Sequence, residues 1–560
     1  MNTDKEKLKS MFADFKANVL ENIKKAIDSS NFPLEFLMYY DDVCLRDEII
    51  KEIERMGGKK HRYSHSRYKH LVITIFEIII RDVLKDKKLD NVKIDNTIVK
   101  NNIQIIHKNV DMLMDYYHVY IAKNAAQSNR YNVKIEENKY KFTNKEFNLE
   151  YNIQGYYEKN NIFQYKGDPY FEYCFGKPIS SECIKRIYEW FVSNLDTLEE
   201  SDDLGKYSVS EFLYVWSVIY FAASTNCVFK NLRTSQALKE YLDATAIDIK
   251  TAFESIFDFI KNSIDGKENV HTLIGYLGYN EFLDMILKST NLKKETVGDI
   301  ISDLIYNGGD TKYTLMQYPV LKMEDKIIVP SYYILNECHA EMLMKRKSKL
   351  LYDSTYSKIH KNVIEPRLCL KLKDALDVNK NFKIICSSET IKDTSSTNQS
   401  QIDIFIYDER NKDIMIIEVK DHIAKLDNVE VINQVNFEKN ATSKGAIQQL
   451  ENQENLIKIQ RNLSLFLEDV RIEDINNIYL GYCETYYLGT PRFISDLENK
   501  KIAYMPYKLL TNMNKWSSVK KMYYYFLKAR YLNDRNDYTY HEEEIKRFGY
   551  EIKIPMYENK

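Results

Sequence analysis

The sequence predicts a multidomain protein: a mainly helical amino-terminal region, followed by a carboxy-terminal α/β domain in which helices flank a mixed sheet. Three observations predict it. From the start to about residue 310 apolar residues recur at helical spacing, as in LKSMFADFKANVLENIKKAI and LVITIFEIIIRDVLK. At 306–314 the segment YNGGDTKYT pairs two glycines, a turn signal that marks a boundary. Beyond it, short apolar runs come in the order strand, strand, strand, helix, strand, which is the grammar of a mixed sheet with helices on its faces.

Size and composition agree. A chain of 560 residues exceeds one ordinary hydrophobic core, and 44% hydrophobic with 29% charged residues is a globular profile. The 80 basic and 82 acidic side chains leave a net charge of −2, so the strong positive field of a small nucleic-acid binder is excluded and any such surface must be local. Eight cysteines form no CxxC pair, which excludes zinc knuckles and redox motifs and suits reduced thiols in a cytosol. The opening MNTDKEKLKSMF alternates charges where a signal peptide needs an apolar run, so a cytoplasmic protein is expected. No GxxxxGK[ST] loop points to nucleotide hydrolysis.

Within residues 1–310, read as a recognition, sensing or assembly region, NVKIEENKYKFTNKEFNLEY alternates apolar and polar residues and predicts a small β insertion near 132–166. The uncharged stretch FLYVWSVIYFAASTNCVF at 212–229 has about the minimum length of a membrane span. Its Ser217, Ser224, Thr225 and Asn226, with no flanking basic bias, predict a buried helix and no membrane contact. Residues 311–500 carry LKMEDKIIVP, FKIIC at 382–386, IDIFIYD at 402–408, DIMIIEVK at 413–420, the helical GAIQQLENQENLIKIQRNL and the apolar NIYLGYC. Residues 501–560 are expected to form a helical extension around Trp516 to Tyr531.

The chemistry concentrates in IDIFIYDERNKDIMIIEVK. A tight turn at ERNK makes the two strands antiparallel neighbours, which brings Asp403 beside Glu418; period-two alternation puts Lys420 on the same face as Glu418. Two adjacent carboxylates are unfavourable unless a cation lies between them, and hard oxygen ligands suit Mg2+, with Mn2+ as a substitute. Phosphodiester hydrolysis needs such a set: a metal to polarise the phosphoryl oxygen and activate water, and a lysine to stabilise the transition-state charge or orient the water. The bland alternative is a set of solvent-facing strand residues in exposed ion pairs. A strand as apolar as IMIIEVK argues against it, because Glu418 would then be sheltered.

Asp403, fourteen intervening residues, Glu418, Val419 and Lys420 resemble the PD-(D/E)XK, or restriction-endonuclease-like, nuclease superfamily over roughly residues 350–490. The resemblance implies a restriction-endonuclease-like sheet and a magnesium-dependent endonuclease acting on double-stranded DNA, in restriction or anti-phage defence, as a homo-oligomer or with a defence partner. It also implies a further acidic ligand on a preceding helix, for which YSKIHKNVIEPRLCLKLKDAL offers Glu365. Pro366 biases Glu365 away from helical geometry, so either the helix kinks there or Glu389 replaces it. A glutamine on the following helix is implied as well. Gln449 takes that place, with Gln453 one turn beyond, where families with a Gln-x-x-x-Tyr motif have tyrosine.

Two basic segments stand apart. KRKSK and WSSVKKMYYYFLKARY place Lys345, Arg346, Lys347, Lys520 and Lys521 to track a phosphate backbone while tyrosines stack on bases, unless they are solvated faces over a tyrosine core stripe. HRYSHSRYKH, with His61, His65 and His70 among arginines, reads as a polar surface or a phosphate contact before a metal site. Two rival readings stay open: an inactive nuclease fold that binds nucleic acid or scaffolds, and a ligand- or partner-sensing helical half with the nuclease as its regulated output.

Overall fold

The computed structural model describes residues 2–28, 34–37, 39–40, 44, 96–127, 131–143, 169–174, 177–245, 274–306, 318–386, 389–393, 398–422, 434, 437–438, 445–485, 491–528 and 538–559. The histidine segment 61–70, the apolar run at 71–85 and residues 144–166 of the expected β insertion lie outside them. The architecture is mixed α/β.

Helices α1 (Asn2–Asn22) and α2 (Val110–Gln127) pack in the amino-terminal part, and the alternating segment forms a hairpin of β1 (Asn132–Glu136) and β2 (Lys139–Thr143), as its pattern predicts. Helix α3 (Ser181–Ser193) is capped by the Ser180 side chain, which accepts from the Cys183 amide. It precedes the long α4 (Val209–Thr245), whose Phe212, Leu213, Val215, Trp216, Val218 and Ile219 are fully buried. The uncharged stretch is therefore an interior helix, and among the described residues no helix is long and apolar enough to cross a membrane.

Strands also appear where helices alone are expected. β3 (Ile274–Gly278) and β4 (Ile305–Tyr306) join β5 (Val320–Met323) and β6 (Lys326–Pro330) in a sheet ordered β3-β6-β5-β4. This sheet spans the change of pattern at 306–314. One hydrophobic interior likewise joins Ile184, Phe191 and Trp216 to Leu368, Met415, Ile417 and Met522, so the helical half and the later sheet share a core.

Next come α5 (Ala340–Leu351) and α6 (Glu365–Leu376), then β7 (Phe382–Cys386), β8 (Thr390–Lys392), β9 (Gln399–Gln401), β10 (Ile404–Asp408) and β11 (Asp413–Lys420). Helix α7 (Ala446–Ile457), β12 (Asn477–Glu484), β13 (Ile502–Pro506) and α8 (Val519–Leu527) complete this part. The central sheet is ordered β13-β12-β11-β10-β7. β10 runs antiparallel to β7 and β11, whereas β11, β12 and β13 are parallel. Alternation along β11 explains its burial on both sides: Met415, Ile417 and Val419 face the core shared with α4, while Ile414 and Ile416 face a second core with Leu450 of α7. Gly481 sits where a Cβ would meet Met505 Sδ at 3.0 Å and Met415 Cε at 3.1 Å, so the glycine lets both methionines close over β12.

The carboxy-terminal extension is not helical throughout. β13 belongs to the central sheet, and after α8 the chain forms the hairpin β14 (Tyr538–Arg547) and β15 (Tyr550–Asn559). β15 pairs parallel to β2, giving a sheet β1-β2-β15-β14. Its sequence, HEEEIKRFGYEIKI, carries an alternating pattern that the nearby aromatic-basic helix obscures.

Candidate active site

The turn at 409–412 closes as its residues require: Asp408 accepts from the Asn411 amide at 3.1 Å and the Asn411 side chain at 2.7 Å, and Lys412 takes a positive φ of 54°. The ladder then runs to Ile404 opposite Ile417. One step further on, Asp403 reaches the partner strand, where its Oδ2 accepts from the Val419 amide at 2.8 Å. Lys420 Nζ donates to Glu418 Oε1 at 2.5 Å, so both side chains share the face that alternation assigns them. Glu418 is 3% exposed, sheltered as the apolar strand demands.

Electrostatics tie the three into one cluster. Burial and the Glu418 carboxylate push Asp403 up to about 8, against the pull of Lys420 and the Val419 amide. Burial works to lower Lys420, but Glu418, Asp403 and Glu365 together hold it well above its ordinary value.

Glu365 joins this field. Its own carboxyl is raised, chiefly by burial, with Lys420 and His360 opposing. It is helical despite Pro366, with φ −59° and ψ −48°. A π-helical turn at His360–Ile364 leads directly into α6, and the Glu365 amide bonds to the carbonyl of His360, five residues back. The wider turn accommodates a proline that would clash in an α-helical interior, which removes the conflict posed by the sequence. Glu389, the alternative, is exposed ahead of β8, whereas the Glu365 carboxylate acts on both Asp403 and Lys420.

The glutamine that meets the cluster is Gln453 and not Gln449. Gln453 Nε2 donates to Glu418 Oε2 at 2.8 Å and to the Gln401 carbonyl at 2.6 Å. Gln449, a turn earlier on α7, leaves its Oε1 buried without a hydrogen-bond partner among the described residues. One helical turn separates the two, and helical spacing in the sequence does not fix the end of the site that each reaches.

A second polar row lies at the same strand ends. Lys345 Nζ donates to Asp421 Oδ1 and Oδ2 at 2.8 and 2.7 Å, and Thr485 Oγ1 donates to Asp421 Oδ1 at 2.7 Å. Glu341, 3.8 Å from Lys345, accepts from the amides of Asp196, Thr197 and Leu198. Lys345 and Lys347 are fully buried, which corrects their reading as phosphate contacts. The run KRKSK is basic in sequence, but α5 lies inside the molecule, so two of its cations face the interior. Arg346 is half-buried, and Lys520 and Lys521 are exposed on α8.

Glu438 went unnoticed in the sequence because its surroundings carry no periodic pattern. It is 1% exposed, accepts from the Ala446 amide at the start of α7 at 3.1 Å, and is raised chiefly by burial, with Lys420 among the groups that oppose. Nearby, His422 Nε2 lies 2.9 Å from the Tyr482 hydroxyl, which donates to Glu484 at 3.2 Å.

The donor set fits a hard divalent cation. Asp403 and Glu418 are adjacent carboxylates whose repulsion raises one of them, and Mg2+ takes one or two carboxylates while keeping waters and substrate oxygens. Among the described residues no three of His, Cys, Asp or Glu gather closely enough to hold a metal by themselves. No family model matches the chain, and no curated protein or solved structure matches it at a significant level.

Proposed function

We propose that the chain is a metal-dependent nuclease that hydrolyses phosphodiester bonds in DNA, with Asp403, Glu418 and Lys420 as its reactive groups. The observation that carries this reading is the convergence of two carboxylates and an ammonium on one face at the β10–β11 strand ends. The mixed sheet with its antiparallel β7-β10-β11 portion and parallel β11-β12-β13 portion, covered by α6 and α7, supports a restriction-endonuclease-like fold.

Asp403 and Glu418, with Glu365 beside them, would hold the magnesium only together with waters and substrate oxygens, and the metal would supply Lewis acidity toward the phosphoryl oxygen and a lowered pKa for bound water. Gln453 fixes Glu418 Oε2 to β9, so that carboxylate keeps one orientation. Lys420, kept protonated by its acidic neighbours, offers a fixed positive charge to the negative charge that builds on the phosphorus oxygens. The apolar walls on both faces of β11 keep the surrounding dielectric low, which strengthens that interaction.

The test is cleavage of plasmid DNA, single strands and RNA with and without Mg2+. The expected result is magnesium-dependent cutting that Glu418→Ala and Lys420→Ala abolish while circular dichroism shows both variants still folded at the assay temperature. One observation favours a second reading, a nuclease fold that binds nucleic acid without cutting: Glu418 is already satisfied by Lys420 and Gln453. Wild-type protein that binds DNA yet cuts no substrate would establish that alternative.

A further inference from the structure

We propose that His360 is a positioning residue for Glu365: it clamps the helical turn that carries this carboxylate to the strand end that carries Lys420. The inference rests on the nuclease reading and deepens it. His360 opens the π-helical turn that feeds α6. Its Nε2 donates to the Asp421 carbonyl at 2.9 Å and lies 3.3 Å from Asp421 Oδ2, while Nδ1 lies 3.8 Å from Glu365 Oε1. One imidazole thus hydrogen-bonds the residue after Lys420 and lies within ion-pair distance of the carboxylate in question.

The anchor is rigid. Asp421 is held by Lys345 from α5 and by Thr485 beyond β12, and the Thr485 amide donates to the Lys420 carbonyl at 3.1 Å. The other end needs the clamp. Glu365 stands at the head of a helix that Pro366 deprives of an amide donor, and its side chain is 30% exposed, so rotation into solvent is open to it. The ring of His360 also rests near Tyr356, at 5.7 Å between centroids, which limits its own rotation. Partners that orient a metal-binding group through hydrogen bonds change metal affinity by about 10- to 100-fold when removed.

The experiment is a Mn2+ titration of the full-length chain, with free Mn2+ followed by electron paramagnetic resonance, so that it does not depend on turnover. His360→Ala should weaken binding about 10-fold. His360→Gln, whose side-chain amide can donate to the Asp421 carbonyl in place of Nε2, should recover most of the loss. The double variant His360→Ala/Glu365→Gln should bind no more weakly than Glu365→Gln alone, because His360 acts through that carboxylate. Wild-type affinity in His360→Ala, or losses that add in the double variant, overturns the inference. Affinity lost in Glu418→Ala yet intact in His360→Ala strikes this inference alone. Affinity unchanged in Glu418→Ala strikes the nuclease reading itself, and wild-type protein that binds no Mn2+ overturns both.

Discussion

Replacing Lys347 by methionine should stabilise the protein, and by an amount that depends on pH. Lys347 is fully buried on α5, its Nζ 3.1 Å from the centre of the Tyr318 ring and without a hydrogen-bond partner among the described residues. The carboxyl of Asp303, which acts on Lys347, is engaged by the hydroxyls of Tyr207 at 3.1 Å and Tyr352 at 3.3 Å. Burial lowers Lys347 to about 7, with Asp303 pulling the other way. Against an ordinary value of 10.5 the difference corresponds to about 5 kcal/mol of penalty on the charged form. Contact with the tyrosine ring returns about 2 kcal/mol of that, leaving a net cost of about 3 kcal/mol.

The sign follows from proton counting. Between about pH 7 and 10.5 the unfolded chain keeps the Lys347 proton that the folded chain has released, so wild-type stability gains up to about 1.4 kcal/mol per pH unit from this group as pH rises. Below pH 7 the penalty is complete. Lys347→Met removes it with a side chain of similar length, so the variant should be more stable by about 3 kcal/mol at pH 6 and lose that advantage only by about pH 10.5. With an unfolding entropy of about 2.1 cal/mol/K per residue, a chain this long gains roughly 1 °C per kcal/mol, so calorimetric melting should rise by about 3 °C at pH 6. A variant that melts at or below wild type at pH 6, or whose difference from wild type stays constant with pH, refutes the reasoning.

Asp403→Asn should abolish cleavage and raise the metal-free melting temperature. Asp403's folded pKa lies above its unfolded value, so the ionised carboxylate loses stability as pH climbs toward about 8, and the difference from wild type should widen over that range in melting curves. Glu341→Ala should cost about 3–5 kcal/mol in urea unfolding, because it strands the amides of residues 196–198 and removes a carboxylate beside buried Lys345. Lys520→Ala/Lys521→Ala should leave melting unchanged, since both side chains are exposed. If α8 tracks DNA, the salt dependence of binding should flatten by about 0.9 in log–log slope for each lost phosphate contact, and an unchanged slope makes that face merely solvated.

Two strands with an ERNK turn left little freedom, which is why Asp403, Glu418 and Lys420 were legible: a tight turn sets the register, and a period of two sets the face. Helical positions were less legible. Gln449 and Gln453 lie on one face by spacing, and only packing of α7 on the sheet decides which reaches Glu418. Basic letters misled at Lys345 and Lys347, because burial is a tertiary property and a charged residue can enter a core when a partner such as Asp421, or an aromatic face such as Tyr318, meets it there. The carboxy-terminal hairpin was hidden for a related reason: its partner β2 lies about four hundred residues earlier, a pairing that local pattern cannot encode.

The start of β10 and the end of β11 carry two acids, Asp403 and Asp421, in opposite circumstances, and the contrast argues for chemistry on one side only. Asp421 is fully compensated: although burial would raise it, Lys345 and His360 hold it well below the ordinary carboxylate range. Asp403, also sheltered, has the Val419 amide and the field of Lys420, yet burial and Glu418 leave it well above that range. Folding alone favours the first arrangement, since a buried charge is tolerated when its partners repay desolvation. The second persists at a cost, and the charge it lacks is positive. A strand end that satisfies one acid and leaves its neighbour wanting a cation separates the row that holds the fold from the row that would act on a phosphate.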